Sequence, residues 1–246
     1  MWSKGLAGSN PVPTAMRIIF LNTWDGRVGR GLFDYILSEA SKTDIFCLQE
    51  VKEDLYNKLS EKLPQFNSSR ISRDQHINDW SFDQVMFYKK KMNLKVSDKD
   101  FMTIGTGQSA VLDMSGQQIL ICNIQGVSEP GKKLDTKERL EQSKQIIDFV
   151  RQHSGPKIIG GDFNLKPDTK SVEIIEKDGY LNLIKEFNIT ETRNHFAWDY
   201  YKDTSGFEVQ HFADYVFVTP DIKIKSFEVP NVEASDHLPQ VLEFEI

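Results

Sequence analysis

The sequence predicts a chain of the α/β class, mixed and of the α+β type, in which two mixed β-sheets pack together and helices cover their outer faces. Short apolar runs alternate in places with helical stripes of large aliphatic residues, and other runs follow one another closely enough for hairpins. The length of 246 residues and hydrophobic content of 39% permit one large domain with a sizeable core. No internal period of about 20–50 residues is visible, so a repeat architecture is not expected.

The first quarter of the chain predicts two strand–helix units. Residues 17–21 form an apolar strand and precede a helix with apolar positions through 33–40. Residues 45–48 form a second buried strand, and leucines at helical spacing follow through 55–63, where Pro64 ends the helix. The polar stretch 64–80 is interpreted as a surface loop.

The remaining elements are predicted from alternation and turn signals. Two hairpins are expected, 85–88 with 94–96 and 110–112 with 119–124, the second turning at Ser115-Gly116. A helix capped by Asp135, with Glu138 completing the cap, carries a buried stripe of Leu140, Ile147 and Val150. Another helix is expected near 170–177. The last quarter predicts five strands, at 195–198, 207–211, 215–218, 222–227 and 241–244.

The composition limits the classes of function. The formal net charge is −6, which argues against a protein whose whole surface grips nucleic acid, because such binders usually have a basic footprint. The two cysteines, Cys47 and Cys122, lie in apolar strand-like runs and fit neither a disulfide framework nor a zinc site. We therefore expect buried, reduced thiols in a cytoplasmic monomer, with secretion as the alternative.

Residues 1–15 differ from the rest of the chain. They are rich in Gly, Ser and Pro and lack the apolar core of a signal peptide. We expect a flexible leader ahead of a domain at 16–246; it is either an addition before a natural start at Met16 or a genuine N-terminal arm. No run of about 18 apolar residues is present, so no transmembrane segment is expected.

The stretch 158–164 marks the predicted site. Two isoleucines end a buried strand, two glycines let the backbone turn, and Asp162 and Asn164 then flank Phe163. Alternation at a strand end puts Asp162 and Asn164 on one side and Phe163 on the other. A carboxylate beside a carboxamide suits an ordered water and a phosphate oxygen. An Asx-rich turn is the alternative.

Polar side chains also stand at the ends of other apolar runs: Asn22, Glu50, Asp214, and the pair Asp236-His237. If these strands are neighbours, the side chains gather at one edge of the sheets. Oxygen ligands there suit Mg²⁺, with Glu50 as the best ligand, and a histidine can exchange a proton near neutral pH. Each residue alone is more simply a strand end, a helix start or a turn. Their joint occurrence favours a site.

Five short motifs then carry a resemblance: Leu-Asn-Thr-Trp (21–24), Cys-Leu-Gln-Glu (47–50), Gly-Gly-Asp-Phe-Asn (160–164), Ala-Asp-Tyr-Val-Phe-Val (213–218) and Ser-Asp-His-Leu-Pro (235–239). In this order they resemble the endonuclease/exonuclease/phosphatase family, and the resemblance covers residues 17–246. That family includes pancreatic-type DNases, abasic-site endonucleases, neutral sphingomyelinases and inositol phosphatases. The motifs are therefore specific for the family and weakly specific for substrate. The resemblance implies the DNase I-like fold, a four-layer sandwich.

The resemblance also implies a metal centre. Mg²⁺ or Mn²⁺ would be held through Glu50, with Asn22 and Asp236 nearby. Attack on a charged phosphate needs a cation and hydrogen-bond donors where negative charge accumulates, which agrees with this implied arrangement.

The remaining implied roles are catalytic. Asp162 would orient or deprotonate the attacking water, and Asn164 would donate to the phosphate. His237, oriented by Asp214, would bind the phosphate or assist proton transfer. The sequence departs from the family at Gln125, where a histidine or tyrosine commonly contacts the phosphate or leaving group. An amide can donate a hydrogen bond but cannot supply a proton.

The resulting leading hypothesis is a divalent-metal-dependent hydrolase of phosphodiesters or phosphomonoesters, a nuclease or a phosphatase. The alternative is a catalytically weakened member that binds a phosphorylated ligand, which Gln125 supports; a scaffold without a site is disfavoured by the retained polar residues. The substrate class stays open among nucleic acid, nucleotide, phospholipid and sugar phosphate.

Two further groups bear on the substrate. A basic group, Lys132, Lys133, Lys137 and Arg139, either engages phosphates or forms a solvated loop and helix face, and the second interpretation is favoured. Three tryptophans, Trp24, Trp80 and Trp198, either stack on a base or sugar or serve packing.

Overall fold

The computed structural model describes residues 15–72, 82–114, 116–204 and 206–245. Residues 1–14 of the expected leader, residues 73–80 of the expected loop, Trp80 and Ser115 lie outside the described residues. None of the helices in the described part of the chain has the length and apolarity that crossing a membrane requires.

The described strands, in chain order, are β1 (Met16–Asn22), β2 (Ile45–Val51), β3 (Phe66–Ser72), β4 (Asp83–Lys89), β5 (Leu94–Val96), β6 (Thr106–Met114), β7 (Gln117–Gln125), β8 (Lys157–Asp162), β9 (Leu181–Asn182), β10 (Asp214–Val218), β11 (Lys223–Glu228) and β12 (Gln240–Glu245). The helices are α1 (Arg30–Glu39), α2 (Glu53–Lys62), α3 (Lys137–Val150), α4 (Lys170–Lys177), α5 (Leu183–Glu186) and α6 (His195–Tyr201), and a 3₁₀ turn spans Trp24–Gly26.

These strands form two six-stranded mixed sheets. The first has the order β11-β12-β1-β2-β4-β3 and the second the order β5-β6-β7-β8-β10-β9. The pairs β1–β2 and β7–β8 are parallel, and the neighbours around them are antiparallel. The predicted architecture of two mixed sheets is therefore confirmed.

The apolar core lies between the two sheets, and a second cluster lies on the outer face of the first. The strand alternation separates the two: in β1, Ile18 and Phe20 belong to the large core, while Ile19 and Leu21 pack with Leu32 and other apolar side chains of the second cluster. Cys47 and Cys122 are both buried in the large core, as expected. The two clusters confirm the prediction of sheets with helices outside.

Two expected strands are absent from the described chain. The stretch 195–198 belongs to helix α6; the Asn194 side chain accepts a hydrogen bond from the Phe196 amide at 3.0 Å and caps it. Its aromatic content resembled a strand, but the asparagine was a helix-start signal. The stretch 207–211 has alternating polarity but no strand pairing.

The expected hairpin at 85–96 is also wrong, although both of its strands exist. β4 pairs with β2 and β3, whereas β5 pairs with β6, so the chain crosses between sheets here. The expected loop at 64–80 contains the edge strand β3. Much of β3 is polar because only its two residues Phe66 and Ile71 are buried. The hairpin of β6 with β7 is confirmed.

The start of α3 differs from the prediction in its cap. The Thr136 hydroxyl, not Asp135, accepts a hydrogen bond from the Arg139 amide at 3.2 Å. Asp135 instead accepts bonds from the Lys170 and Ser171 amides, at 2.8 and 2.9 Å, and so caps helix α4. A local pattern could not reveal this because the capped helix begins 35 residues later.

Gly160 and Gly161 do not make the expected turn, since both lie inside β8. A Cβ on Gly160 would lie 2.7 Å from the Phe20 ring of the facing sheet. Gly161 has φ +132°, and a Cβ there would lie 2.2 Å from the Ile124 carbonyl oxygen. The glycines therefore permit the close approach of Phe20 on the facing sheet and of Ile124 on the neighbouring strand.

Candidate active site

The site is built at one end of the sheet sandwich, where both sheets change from apolar to polar residues. In the second sheet, Gln125 and Asp214 are both register partners of Asp162. The three side chains thus stand in one row across β7, β8 and β10. In the first sheet, Asn22 of β1 is level with Gln49 of β2. The predicted gathering of strand-end residues at one edge is observed.

Amide side chains join the two sheets at this end. Asn22 Nδ2 donates to Asp162 Oδ2 at 2.9 Å, and Gln49 Nε2 donates to Asn123 Oδ1 at 2.5 Å. Gln125 Nε2 donates to Asp162 Oδ2 at 3.2 Å. Asp162 is almost fully buried, and these donors compensate for its removal from water.

Glu50 reaches the site through a β-bulge. The pairing of β2 with β4 slips between Leu48 and Val51, and Glu50 has the left-handed value φ +54°. A bulge turns a side chain that simple alternation would send to the opposite face from Gln49. Gln125 Nε2 approaches Glu50 Oε1 at 3.4 Å. Burial, followed by Asp162 and Asp236, raises the pKa of Glu50 to about 7, although Asn22 and His237 lower it.

His237 is held by Asp214. Its Nδ1 lies 2.9 Å from both carboxylate oxygens of Asp214, and its Nε2 lies 3.9 Å from Asp162 Oδ2. Burial alone would lower the pKa of His237, but Asp214, Asp236 and Asp162 raise it to about 9. The raised pKa favours the imidazolium form, which carries a hydrogen on each nitrogen. Nδ1 donates to Asp214, and Nε2 faces Asp162 beyond hydrogen-bond distance.

Asp162 remains ionised in this environment. Burial alone would raise the pKa of Asp162, but the charges of His237 and Lys133, with the Asn22 amide, lower it below its ordinary value. An ionised carboxylate can accept a proton or orient a water molecule.

Asn164 follows Asp162 in a left-handed conformation, φ +54°. Its backbone amide donates to Asp162 Oδ1 at 2.9 Å, and its Nδ2 donates to Asp162 Oδ2 at 3.1 Å and to the Gly126 carbonyl at 3.2 Å. Its Oδ1 accepts a bond from Lys133 Nζ. Phe163 points the other way into the core, so the predicted separation of the two sides is confirmed.

The favoured interpretation of the basic group as solvated is wrong for two of its members. Lys133 is buried against Asn164. Arg139 is fully buried and donates to the carbonyl oxygens of Val127, Ser128, Pro130 and Leu134 at 2.7–3.3 Å. Lys132 and Lys137 are exposed, as expected.

Arg193 is a site residue that the sequence did not reveal. Its Nη2 donates to Asp236 Oδ2 at 2.5 Å, and its backbone forms an isolated antiparallel bridge with His237. Leu238 donates its amide to the Thr192 carbonyl at 2.8 Å and fixes the same contact. No local signal identifies Arg193, because its partners lie more than 40 positions away.

A cavity of about 400 Å³ opens onto these groups. It is lined by acidic, amide, imidazole, basic and aromatic side chains: Glu50, Asp162, Asn164, Asp236, His237, Trp24, Lys133, Arg193 and Trp198. Trp24 stacks edge-on with Tyr200 at 5.4 Å. Trp24 and Trp198 are thus wall residues of the cavity, which leaves the predicted stacking role a hypothesis.

The oxygen donors fit a hard divalent cation. Ligand atoms of Asp162, Asp214 and His237 lie within 4.8 Å of one another, but His237 and its Asp214 partner are already bonded to each other. Glu50 and Asp236 offer carboxylate oxygens at the cavity, and their mutual repulsion contributes to the raised pKa of Glu50. A cation would relieve that repulsion, and carboxylate and amide oxygens are the ligands that Mg²⁺ prefers.

Comparisons with known proteins agree with this geometry. A UPF0294 protein of Vibrio vulnificus is 25% identical over 136 residues, which are 55% of this chain and 43% of that protein. The match thus spans less than half of the relative. The endonuclease/exonuclease/phosphatase from Bacteroides vulgatus superposes with a TM-score of 0.71 at 19% identity, over 95% of this chain and 99% of that chain.

A second solved structure, the mannosyl-6-phosphatase of Bacteroides thetaiotaomicron, superposes with a TM-score of 0.69 at 18% identity, over 94% of this chain and 100% of that chain. At these identities, the structural likeness shows the fold alone. The family model described as Endonuclease/Exonuclease/phosphatase family matches residues 23–237. With its two mixed sheets and its strand-end polar residues, the chain belongs to the endonuclease/exonuclease/phosphatase family.

Proposed function

We propose that the chain is a divalent-metal-dependent phosphoesterase that hydrolyses a phosphate ester by attack of water. The observation that carries the proposal is the meeting of Asp162, the Asp214–His237 pair and Glu50 at one cavity. An ionised buried carboxylate, an imidazolium and a separate acidic group have distinct uses in such a reaction. Members of this family are hydrolases of phosphoester bonds, which supports the assignment.

The metal would be held by Glu50, with Asp236 and Asn22 completing or orienting its surroundings. When bound, Mg²⁺ or Mn²⁺ supplies positive charge at the phosphate oxygens. Asn22 already donates to Asp162 at 2.9 Å, and its side-chain hydrogen bond lowers the pKa of Glu50, so it connects the proposed metal ligand with the acid. Arg193 holds one oxygen of Asp236 and leaves the other facing His237 at 3.8 Å.

The protein side chains would then divide the remaining work. Asp162 orients the attacking water and takes its proton, since its carboxylate is ionised and held by Asn22, Gln125 and Asn164. His237 donates from Nε2 to a phosphate oxygen, because Nδ1 is engaged by Asp214. These donors are fixed before the reaction, which is the condition for stabilising charge in the transition state.

A weakened family member that binds a phosphorylated ligand is the second candidate. Gln125 favours it, because its amide lies 3.2 Å from Asp162 and cannot protonate a leaving group. The likeness to a mannosyl-6-phosphatase supports sugar phosphates among the candidate substrates, beside nucleic acids, nucleotides and phospholipids. An assay across these classes, with and without Mg²⁺, separates the enzyme from the binding protein.

The metal assignment is tested by Glu50→Ala. Millimolar Mg²⁺ should stabilise the parent by about 1–3 kcal/mol and the variant far less, because a ligand stabilises only the state that binds it. Thermal unfolding is the measurement. Glu53→Ala removes an exposed acid three positions on and is the matched control. An unchanged response of the Glu50→Ala protein contradicts the assignment.

The same experiment has a defined pH dependence. Since the pKa of Glu50 is about 7 in the folded protein, above its ordinary value, a proton competes with the cation below that pH. We expect the Mg²⁺-induced rise in melting temperature to be larger at about pH 8 than at about pH 6. Without metal, the free energy of unfolding should fall as the pH rises from the ordinary pKa of a glutamate to about 7. The reason is that the folded protein binds the proton of Glu50 more tightly than the unfolded chain does.

A further inference from the structure

Two buried cationic side chains, Lys133 and Arg193, line the cavity. Neither has a hydrogen-bond partner for each of its donors among the described residues. Lys133 is 6% exposed and Arg193 is 8% exposed. The Lys133 ammonium meets the neutral amide oxygen of Asn164. Arg193 meets Asp236 through Nη2, and its buried Nε has no hydrogen-bond partner among the residues that the structure describes. Burying a charge is costly unless it is paired and fully hydrogen-bonded.

The backbone at Lys133 is also strained. It has the left-handed value φ +55°, as do Trp24, Glu50 and Asn164 at φ +46° to +54°, and all four residues line the same cavity. Such conformations are unfavourable for residues with a side chain and cluster at functional sites. Lys133 thus shares the backbone conformation of the predicted metal ligand Glu50 and the predicted phosphate donor Asn164.

Two residues that line the cavity each carry a buried donor without a partner among the described residues. Trp198 Nε1 is buried and has no acceptor in the described part of the chain, and the same holds for Arg193 Nε. A lysine ammonium has three donors, of which Asn164 takes one. The chemical complement of such a wall is an anion with several acceptor oxygens. A phosphomonoester has three terminal oxygens and close to two negative charges at neutral pH, whereas a diester has two such oxygens and one charge.

The cavity walls limit the size of what can enter. Lys132 Nζ lies 3.4 Å from Glu208 Oε1, and Gln210 Nε2 donates to the Gly131 carbonyl at 2.5 Å. These contacts join the loop before α3 to the segment after α6. The cavity volume of about 400 Å³ suits a small molecule or a chain end.

We propose that Lys133 and Arg193 form a phosphate clamp that selects a terminal, dianionic phosphomonoester over a phosphodiester. This inference rests on the proposed function for the position of the reacting phosphate. The clamp is formed by the two side chains on the cavity wall, with Trp198 Nε1 as a third donor. A diester would place an ester oxygen and its substituent against these charged donors.

The first test measures binding, without turnover. Methyl phosphate and dimethyl phosphate are titrated calorimetrically into the full chain with Mg²⁺. Methyl phosphate should bind at least about tenfold more tightly than dimethyl phosphate. Lys133→Met and Arg193→Gln should each reduce the methyl phosphate affinity by at least about tenfold and the dimethyl phosphate affinity by much less. Lys137→Met, an exposed change at the start of α3, should alter neither.

Outcomes that overturn the clamp are equal affinity for the two ligands, or equal losses for both in the variants. Melting temperatures establish that the variants fold. If either neutral variant does not fold, Lys133→Arg and Arg193→Lys keep the charge but change the donor geometry. They should keep part of the preference for the monoester, and full retention in both would overturn the assignment of these donors.

The second test separates the clamp from the proposed function. Nitrophenyl phosphate and bis(nitrophenyl) phosphate are assayed with the parent, and the clamp predicts a higher kcat/KM for the monoester. If neither ester is hydrolysed while the binding preference holds, the proposed function fails and the clamp stands. If the diester is the better substrate, the phosphoesterase assignment stands and the clamp fails.

Discussion

Two pairs of residues on the same two strands show how packing gives way to chemistry. In the middle of the sandwich, Phe20 of β1 lies against Gly160 of β8, so closely that a Cβ on the glycine would be 2.7 Å from the ring. Two positions further along both strands, Asn22 donates to Asp162 at 2.9 Å. Every second side chain of a strand points to the same face of the sheet. The next pair of facing residues along these two strands is therefore polar where the preceding pair is apolar.

The apolar pair and the polar pair have the same geometry but are stabilised in the interior by different interactions. The Phe20–Gly160 contact is stabilised by removal of apolar surface from water. The Asn22–Asp162 contact buries a carboxylate, which requires donors from several strands. Mutations in the middle should therefore change stability, while isosteric mutations at the end should change activity.

The largest effect is expected for Asp162→Asn. It keeps the shape of the side chain but removes the charge and the base, so turnover should fall by about 10²–10⁴-fold. Some stability should be lost as well, because an amide cannot accept all the hydrogen bonds that Asn22, Gln125 and Asn164 donate to the Asp162 carboxylate, so turnover is referred to the folded fraction. Steady-state kinetics on whichever substrate the panel identifies is the measurement, and Asp148→Asn, an exposed change on α3, is the control. Unchanged turnover would remove Asp162 from the mechanism.

The next effect is expected for Phe20→Ala, at the apolar pair. Loss of a fully buried ring should lower the free energy of unfolding by about 3–5 kcal/mol, measured by denaturant titration. The turnover of the folded fraction should persist. Gly160→Ala should be less harmful in the Phe20→Ala background than in the parent, since the added methyl group then meets no ring. Additive costs would mean that the two residues do not share a contact.

The smallest effect is expected for Gln125→His, beside the polar pair. A positioned proton donor typically contributes about 10²–10⁴-fold, and an introduced one should recover at least about tenfold on substrates with poor leaving groups. An activated nitrophenyl ester, which needs little protonation, should gain much less. Equal gains on both substrates would indicate an effect on binding or geometry. No gain on either would exclude proton supply from this position.

The site residues that the sequence predicted are those whose surroundings follow from their position at the end of a strand. Asn22, Glu50 and Asp162 could be identified because each ends an apolar run, and the ends of neighbouring strands meet. Glu50 also needed a bulge, which no pattern revealed. The order of the motifs supplied the family before any contact was known.

The buried cations could not be predicted in this way. Lys133 and Arg139 occur in a polar, charged stretch. Lys133 is buried against the Asn164 amide, 31 positions later, and Arg139 is buried because the preceding loop folds its carbonyl oxygens around the guanidinium, a path that no side-chain pattern reveals. Arg193 is buried by Asp236, 43 positions later. The edge strand β3 and the crossing between β4 and β5 were missed for a related reason, since strand partners depend on the fold and not on local alternation.

Arg139 has a consequence for how this protein can change. Its guanidinium binds main-chain oxygens from Val127, Ser128, Pro130 and Leu134, and no side chain of that loop. Arg139 thus holds the loop without using the loop's own side chains, while Lys133 and Asp135 anchor it through theirs. Loop residues other than these anchors can be exchanged while the wall keeps its shape, so selectivity can change without a change of fold.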